Sequence, residues 1–272
     1  MPSLREMLQG FDAVVVTGGS SGIGKSFIEL LSKLNPDLWF CNLSRNKPDI
    51  EIDQLKLRHL SCDLSKSSDV ERGADEVLNY LRSDQLKLKI LLINNSGFGS
   101  YGFFPTPNLE HQTQMIDLNV RAMVHFTGLL LPLMKERGGA VMNIASTAAF
   151  QPTAYMATYG ATKTFVLHWS LALREELRGS GVHVIAVCPG PTSTQFFKRA
   201  GLTKGSVPDA FGETPEQVVN VSLAALAAEK GMVVSGWKNK ILSFFSSKLP
   251  KALAARVGAF VLARFRLKQA AS

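Results

Sequence analysis

The sequence predicts an α/β fold: a doubly wound parallel sheet of about seven strands in three layers, with a C-terminal helical extension. Three observations lead there. Short apolar runs alternate with segments of helical periodicity along most of the chain. The runs lack polar alternation, as strands do when helices cover both faces of a parallel sheet. A glycine-rich turn joins the first run to the first helical segment.

The strands are expected at residues 11–18, 38–44, 57–63, 89–95, 140–146 and 182–190, with a short seventh in Met232-Val233-Val234. Helices are expected to follow the first strand and to cover about 67–82, 109–137, 154–178 and 215–229. In the first of these, Val70, Ala74, Val77, Leu78 and Leu81 form one apolar stripe. Residues 1–236 are expected to form one domain, with a substrate loop near 194–214, and 237–272 a basic, apolar helical extension.

Composition narrows the function classes. The net charge is +8, yet residues 238–272 hold Lys238, Lys240, Lys248, Lys251, Arg256, Arg264, Arg266 and Lys268 and no acid. The rest of the chain is formally neutral, and it lacks the basic clusters interleaved with aromatics that nucleic-acid binding needs. Cys41, Cys62 and Cys188 lack metal-ligand spacing and read as buried apolar residues in a reducing compartment; no metal is expected. The first ten residues contain no signal-peptide core, so a cytoplasmic location is expected.

Thr17 to Gly24 reads TGGSSGIG. Gly18 permits a tight turn, Gly22 lets the backbone approach a pyrophosphate, and Gly24 lets helix and strand pack closely. The helix start adds free N–H groups and a positive dipole end. At the end of the second strand, Ser44 and Arg45 stand where an acid would select NAD. Arg45 can stack on adenine and pair with a 2′-phosphate, and Ser44 can donate to it, so NADP(H) is expected over NAD(H). Asp63 has two readings, an acceptor for the adenine amine or a structural residue at a helix start.

Ser146 ends the fifth strand. Tyr159 and Lys163 share one helix face at i, i+4 spacing. A cation about 5 Å from a tyrosine, at an effective dielectric of about 20, favours the phenolate by roughly 3 kcal/mol, or about two pKa units downward. A tyrosine tuned in this way can exchange a proton with a carbonyl or alcohol. Ser146 can bond the same oxygen.

Taken in this order, the motifs resemble the single-domain branch of the short-chain dehydrogenase/reductase family over roughly residues 10–236. The pattern TGxxxGIG falls on Thr17–Gly24, NNAG on Asn94-Asn95-Ser96-Gly97 with Ser for Ala, and PG-x-x-x-T on Pro189, Gly190 and Thr194. The resemblance implies a Rossmann fold and a catalytic tetrad of Asn119, Ser146, Tyr159 and Lys163. It implies cofactor contacts from Gly18, Ser20, Ser21, Gly22, Ile23, Gly24, Ser44, Arg45, Asp63, Leu64, Asn95, Ser96, Gly97, Tyr159, Lys163, Pro189, Gly190, Thr192 and Thr194. Lys163 would also bond the nicotinamide ribose, and Asn119 would hold a water that relays protons to Lys163. A homodimer or homotetramer is implied by the family alone.

Aromatic side chains at expected site edges (Phe98, Phe103, Phe104, Phe150, Tyr155, Met156 beside them, and Phe196, Phe197 and Phe211 in the loop) favour a small apolar ketone, aldehyde or secondary alcohol. Two other readings are a non-catalytic NADP(H) sensor and a membrane-associated adaptor. A sensor would be expected to lack the Tyr or Lys, and the adaptor rests on the tail alone. A sugar-nucleotide epimerase is disfavoured by the TGxxxGIG spacing. The tail has apolar residues around much of its circumference and is not a clean amphipathic stripe. It is expected to rest on a membrane surface or pack on another subunit, against the plainer third reading that it folds over its own active-site rim.

Overall fold

The structure is a computed structural model that describes residues 4–82, 89–196, 200–201 and 212–266. Seven parallel strands form one sheet in the order β3-β2-β1-β4-β5-β6-β7. The strands are β1 (Phe11–Thr17), β2 (Trp39–Ser44), β3 (Leu57–Ser61), β4 (Lys89–Asn94), β5 (Gly139–Ile144), β6 (Val182–Cys188) and β7 (Met232–Val234). The order reverses between β1 and β4, which opens a crevice beyond their carboxyl ends.

Helices cover both faces: α1 (Leu4–Leu8), α2 (Gly22–Leu34), α3 (Ser67–Leu81), α4 (Leu109–Ile116), α5 (Ala122–Arg137), α6 (Ala157–Glu176), α7 (Pro215–Ala227), α8 (Trp237–Lys248) and α9 (Lys251–Arg266). Strand residues serve two cores in turn. Ala13, Val15, Ile90, Leu92, Val141 and Val184 pack with α3 and α5. Val14, Val16, Leu91, Ile93, Met142 and Ile185 pack with α2 and α7. This two-sided burial is why the strands read as unbroken apolar runs.

Three details depart from the expectation. The short helix α1 was not anticipated; it buries Leu8 in the α2/α7 core. The helix expected from Ala154 begins at Ala157, after Tyr155 adopts φ 62°. The long helix at 109–137 is broken by a π-helical turn over Asp117–Arg121. Such a wide turn shifts the helical register, and the buried Asn119 lies within it.

A buried polar chain links the central strands to the covering helices. Asn94 donates to Thr127 Oγ1 at 2.9 Å and to Asn143 Oδ1 at 2.8 Å, and Asn143 Nδ2 donates to Ser170 Oγ at 2.9 Å. Deleting the middle member leaves an Asn94 amide hydrogen without its acceptor in a dry interior, while Ser170 keeps its bond to the Val166 carbonyl. Asn143→Ala is therefore expected to cost about 1–3 kcal/mol, read as a lower midpoint in urea denaturation.

Candidate active site

Nearly all the candidate residues line one cavity of about 960 Å³ beyond the carboxyl ends of the strands; Gly24 and Asn119 do not, and Asn119 borders a small separate void that Lys163 also lines. One end is the β1–α2 turn. Gly18 has φ 71°, and a side chain there would also press on Ser96 Oγ at 2.8 Å. At Gly24 a Cβ would lie 2.4 Å from the Gly18 carbonyl oxygen, so close packing of helix and turn requires glycine. Asn95 closes the turn by donating to the carbonyls of Thr17 (3.1 Å) and Gly18 (3.0 Å). Thr17 Oγ1 accepts from the N–H groups of Asn95 and Ser96. Thr17 thus ties two strand ends together, although the sequence singled it out only as the start of a motif.

Ser20, Ser21, Gly22, Ile23, Ser44, Arg45, Asp63 and Leu64 continue the cavity wall. Arg45 is exposed at its edge. Ser44 Oγ already donates to the Asn46 carbonyl at 2.8 Å and accepts from Asn42 Nδ2, so the guanidinium rather than this hydroxyl is the available donor. Asp63 Oδ1 accepts from the N–H and the hydroxyl of Ser65, the structural role that was one of its two readings. Asn42 holds this end from below by accepting from Gly19 N–H at 2.8 Å.

Ser146, Tyr159 and Lys163 form the cavity floor. Ser146 accepts from Ala148 N–H at 3.1 Å and hydrogen-bonds the Tyr159 hydroxyl. Lys163 is buried and donates to the Ile144 carbonyl at 2.8 Å, with Nζ 5.9 Å from the Tyr159 ring centroid. Burial governs both ionisations. It pushes Tyr159 up to about 12, against the hydrogen bond from Ser146, and pushes Lys163 down to about 8, against the nearby Cys188 sulfur. The expected lowering of Tyr159 by the lysine is therefore corrected: removing both groups from water disfavours the phenolate and the ammonium alike.

Asn119 does not bond its own turn. Its Oδ1 accepts from Phe98 N–H at 3.1 Å, and its Nδ2 donates to the Phe98 carbonyl at 2.9 Å and to Thr162 Oγ1 at 3.1 Å. Both amide hydrogens are thereby used. Gly97 lies between this amide and the lysine; a Cβ there would meet Asn119 Oδ1 at 3.0 Å and Lys163 Nζ at 3.4 Å.

Pro189, Gly190, Thr192 and Thr194 line the cavity next to this floor. Residues outside the expected list hold this loop. Glu213 accepts from Ser235 Oγ at 2.5 Å and from Asn239 Nδ2 at 3.2 Å, and its backbone pairs with Pro191 and Ser193. Asn239 belongs to α8 and abuts Gly190 so closely that any Cβ there would lie 2.0 Å from Nδ2. No motif pointed to it.

The apolar edge is partly as expected. Phe98, Met156 and Phe196 line the cavity, but Phe150 packs into a separate core and Phe103 and Phe104 stand exposed. Tyr155 stacks edge-on with Phe103. Phe197, Phe211 and most of the expected 194–214 loop lie outside the described residues. The larger apolar wall comes from the tail: Leu242 and Phe245 on α8, Leu249 just after it, and Val257, Val261 and Leu262 on α9. Tyr101 Oη donates to the Leu262 carbonyl at 3.3 Å, and Ser246 Oγ donates to Gln151 at 2.8 Å. The tail thus folds over its own active-site rim, the third of the three readings.

Comparison with known proteins identifies the family. Residues 12–205 match the family model for short chain dehydrogenases. The chain belongs to the short-chain dehydrogenase/reductase family and is an NAD(P)-dependent oxidoreductase. It is 30% identical over 236 residues to the very-long-chain 3-oxoacyl-CoA reductase of Macaca fascicularis, covering 82% of this chain and 73% of that protein. It is also 30% identical to the Homo sapiens protein of that name, over 84% and 74%. A short-chain dehydrogenase from Sphingobium yanoikuyae, solved in complex with NADPH, superposes with a TM-score of 0.72 at 26% identity, covering 89% of this chain and 97% of that one. Among the described residues no cluster of metal-ligating side chains occurs, and no helix is long and apolar enough to cross a membrane.

Proposed function

We propose that the protein is an NADPH-dependent reductase of a carbonyl borne on a long apolar chain. The observation that carries this is the cavity itself, which has Ser146, Tyr159 and Lys163 at its floor and an aliphatic and aromatic wall from α8 and α9 beyond them. A polar sugar would leave that wall wetted and its own hydroxyls unpaired. The curated relatives named above as 3-oxoacyl-CoA reductases are consistent with a carbonyl on an acyl chain.

The residues fit a dinucleotide. The Gly18–Gly24 turn leaves backbone where any side chain would intrude, and the cavity runs unbroken from it, past Arg45, to Lys163. Bound there, the cofactor would supply the hydride equivalent. Arg45, with no acid at the end of β2, favours the form carrying a 2′-phosphate. Lys163 has ammonium hydrogens beyond the one given to Ile144, and these are available to a ribose.

In this reading the substrate carbonyl oxygen sits between Ser146 and Tyr159. Tyr159 gives its proton to that oxygen as the carbonyl carbon is reduced, and Ser146 holds the oxygen in line. Lys163 opposes the negative charge left on the phenolate. The phenol is protonated at neutral pH, the state that donation in a reduction needs; because burial also makes it a weaker acid, Ser146 and Lys163 have to offset that as the phenolate forms. With both amide hydrogens of Asn119 engaged, a relay water would have to be held through its oxygens. The chain divides in function at 236/237, between a neutral catalytic domain and the wall-forming extension. The homodimer or homotetramer belongs to the same proposal and rests on family resemblance.

Three measurements test it. Tyr159→Phe is expected to lower turnover of a long-chain ketone by about 10²–10⁴-fold while NADPH fluorescence titration still shows binding; retained turnover would remove Tyr159 from the mechanism. Arg45→Asp should weaken NADPH by at least about tenfold relative to NADH; a wild-type protein that prefers NADH would refute the reading of β2. For pH, Lys163 is a cation below about 8 and loses its proton above it, whereas Tyr159 holds its proton to about 12. Reductive turnover should be level below about pH 8 and fall above it. A rate that climbs steadily through pH 10 would mean that the phenolate, not the phenol, is the active form.

A further inference from the structure

The two tail helices each carry two unlike faces. On α8 Leu242 and Phe245, with Leu249 just after the helix, line the open side of the cavity even though Leu242 is 58% and Phe245 63% exposed, while Asn239 and Ser243 are buried against the body. The remaining face holds Trp237, Lys240, Ile241, Phe244 and Lys248, at positions i, i+3, i+4, i+7 and i+11. Trp237 is 68% exposed and Phe244 59%. On α9 Val257 and Val261 face the cavity, whereas Leu253, Arg256 and Phe260 share a second face at i, i+3 and i+7, with Phe260 66% exposed.

These outer faces mix large apolar side chains with cations and contain no acid. Lys238 lies over the Trp237 ring at 5.6 Å and Lys248 over the Phe244 ring at 5.8 Å, so charge and aromatic surface are presented together. We infer that the outer faces of α8 and α9 dock the protein on an anionic membrane surface, with the apolar cavity opening beside the contact. Rings at the headgroup level and lysines against lipid phosphates are what such a surface rewards. A second copy of the same face is the poorer occupant, because a two-fold contact would set cation against cation with no acid to offset them. Phe103 and Phe104 extend the apolar rim: Phe103 stacks on Tyr155, which stacks on Tyr101, and Tyr101 is bonded to the end of α9.

The inference is independent of the assigned reaction, since binding is read without turnover. The full chain is sedimented with phosphatidylcholine vesicles, with and without phosphatidylglycerol. It should bind the anionic vesicles at least about tenfold more tightly, and added salt should weaken that binding. Trp237→Ser with Phe244→Ser and Phe260→Ser, and separately Lys240→Glu with Lys248→Glu, should each lose about tenfold. Both variants should keep NADPH binding and turnover of a soluble short-chain ketone, because none of these side chains lines the cavity. If the aromatic variant fails to fold, the charge variant alone decides. The idea is overturned by a wild-type protein that binds neither vesicle, or both equally, or by variants that bind as well as wild type. It is also overturned if light scattering shows a wild-type dimer that becomes monomeric in either variant, which would place a second copy on this face.

Discussion

The hydrogen bond from the buried Lys163 ammonium to the Ile144 carbonyl is the contact on which the site turns. A cation removed from water must be held by fixed dipoles, and a carbonyl at the end of a central strand is one that cannot move. Around it the chain makes a sequence of accommodations. Gly97 forgoes a side chain to leave room, the helix above widens by a π turn to bring Asn119 against Phe98, and α6 begins where Tyr159 reaches Ser146. The sheet supplies rigidity, since β5 lies between β4 and β6 and its end cannot fray.

The same burial acts on both ionisable groups of the site. Desolvation penalises the phenolate and the ammonium together, so the resting pair is a protonated tyrosine beside a lysine close to losing its proton. Simple Coulomb attraction, taken alone, gives the opposite sign for the tyrosine. Water content decides between them, and water content is a property of the packed cavity rather than of residue spacing.

That distinction marks how far the residues could be read without the fold. Buried parallel strands announce themselves because both faces are apolar, and the glycine turn because backbone must approach backbone; both were legible, with ends correct to within a few residues. Tyr159 and Lys163 were legible because i, i+4 spacing survives folding. The positions of Glu213, Ser235 and Asn239 were not, because they meet only through the loop between β6 and α7 and the turn after β7. The cavity-facing side of the tail was not legible, for a physical reason. A helix with one apolar face toward a cavity and another outward shows no single stripe, although Leu242, Phe245 and Leu249 at i, i+3 and i+7 carried the inward face all along.

Asn239 has a bearing on how such a chain can be inherited. It stands on the first turns of the extension, yet its amide fills the space against Gly190 and shares Glu213 with Ser235. The extension is separable from the catalytic domain in charge but not in mechanics. A recombination event that added or removed the helices at residue 236 would also add or remove the wedge behind the Pro189–Thr194 loop. A graft of the extension onto another member of the family would therefore need Gly190 and Glu213 as part of the transplant.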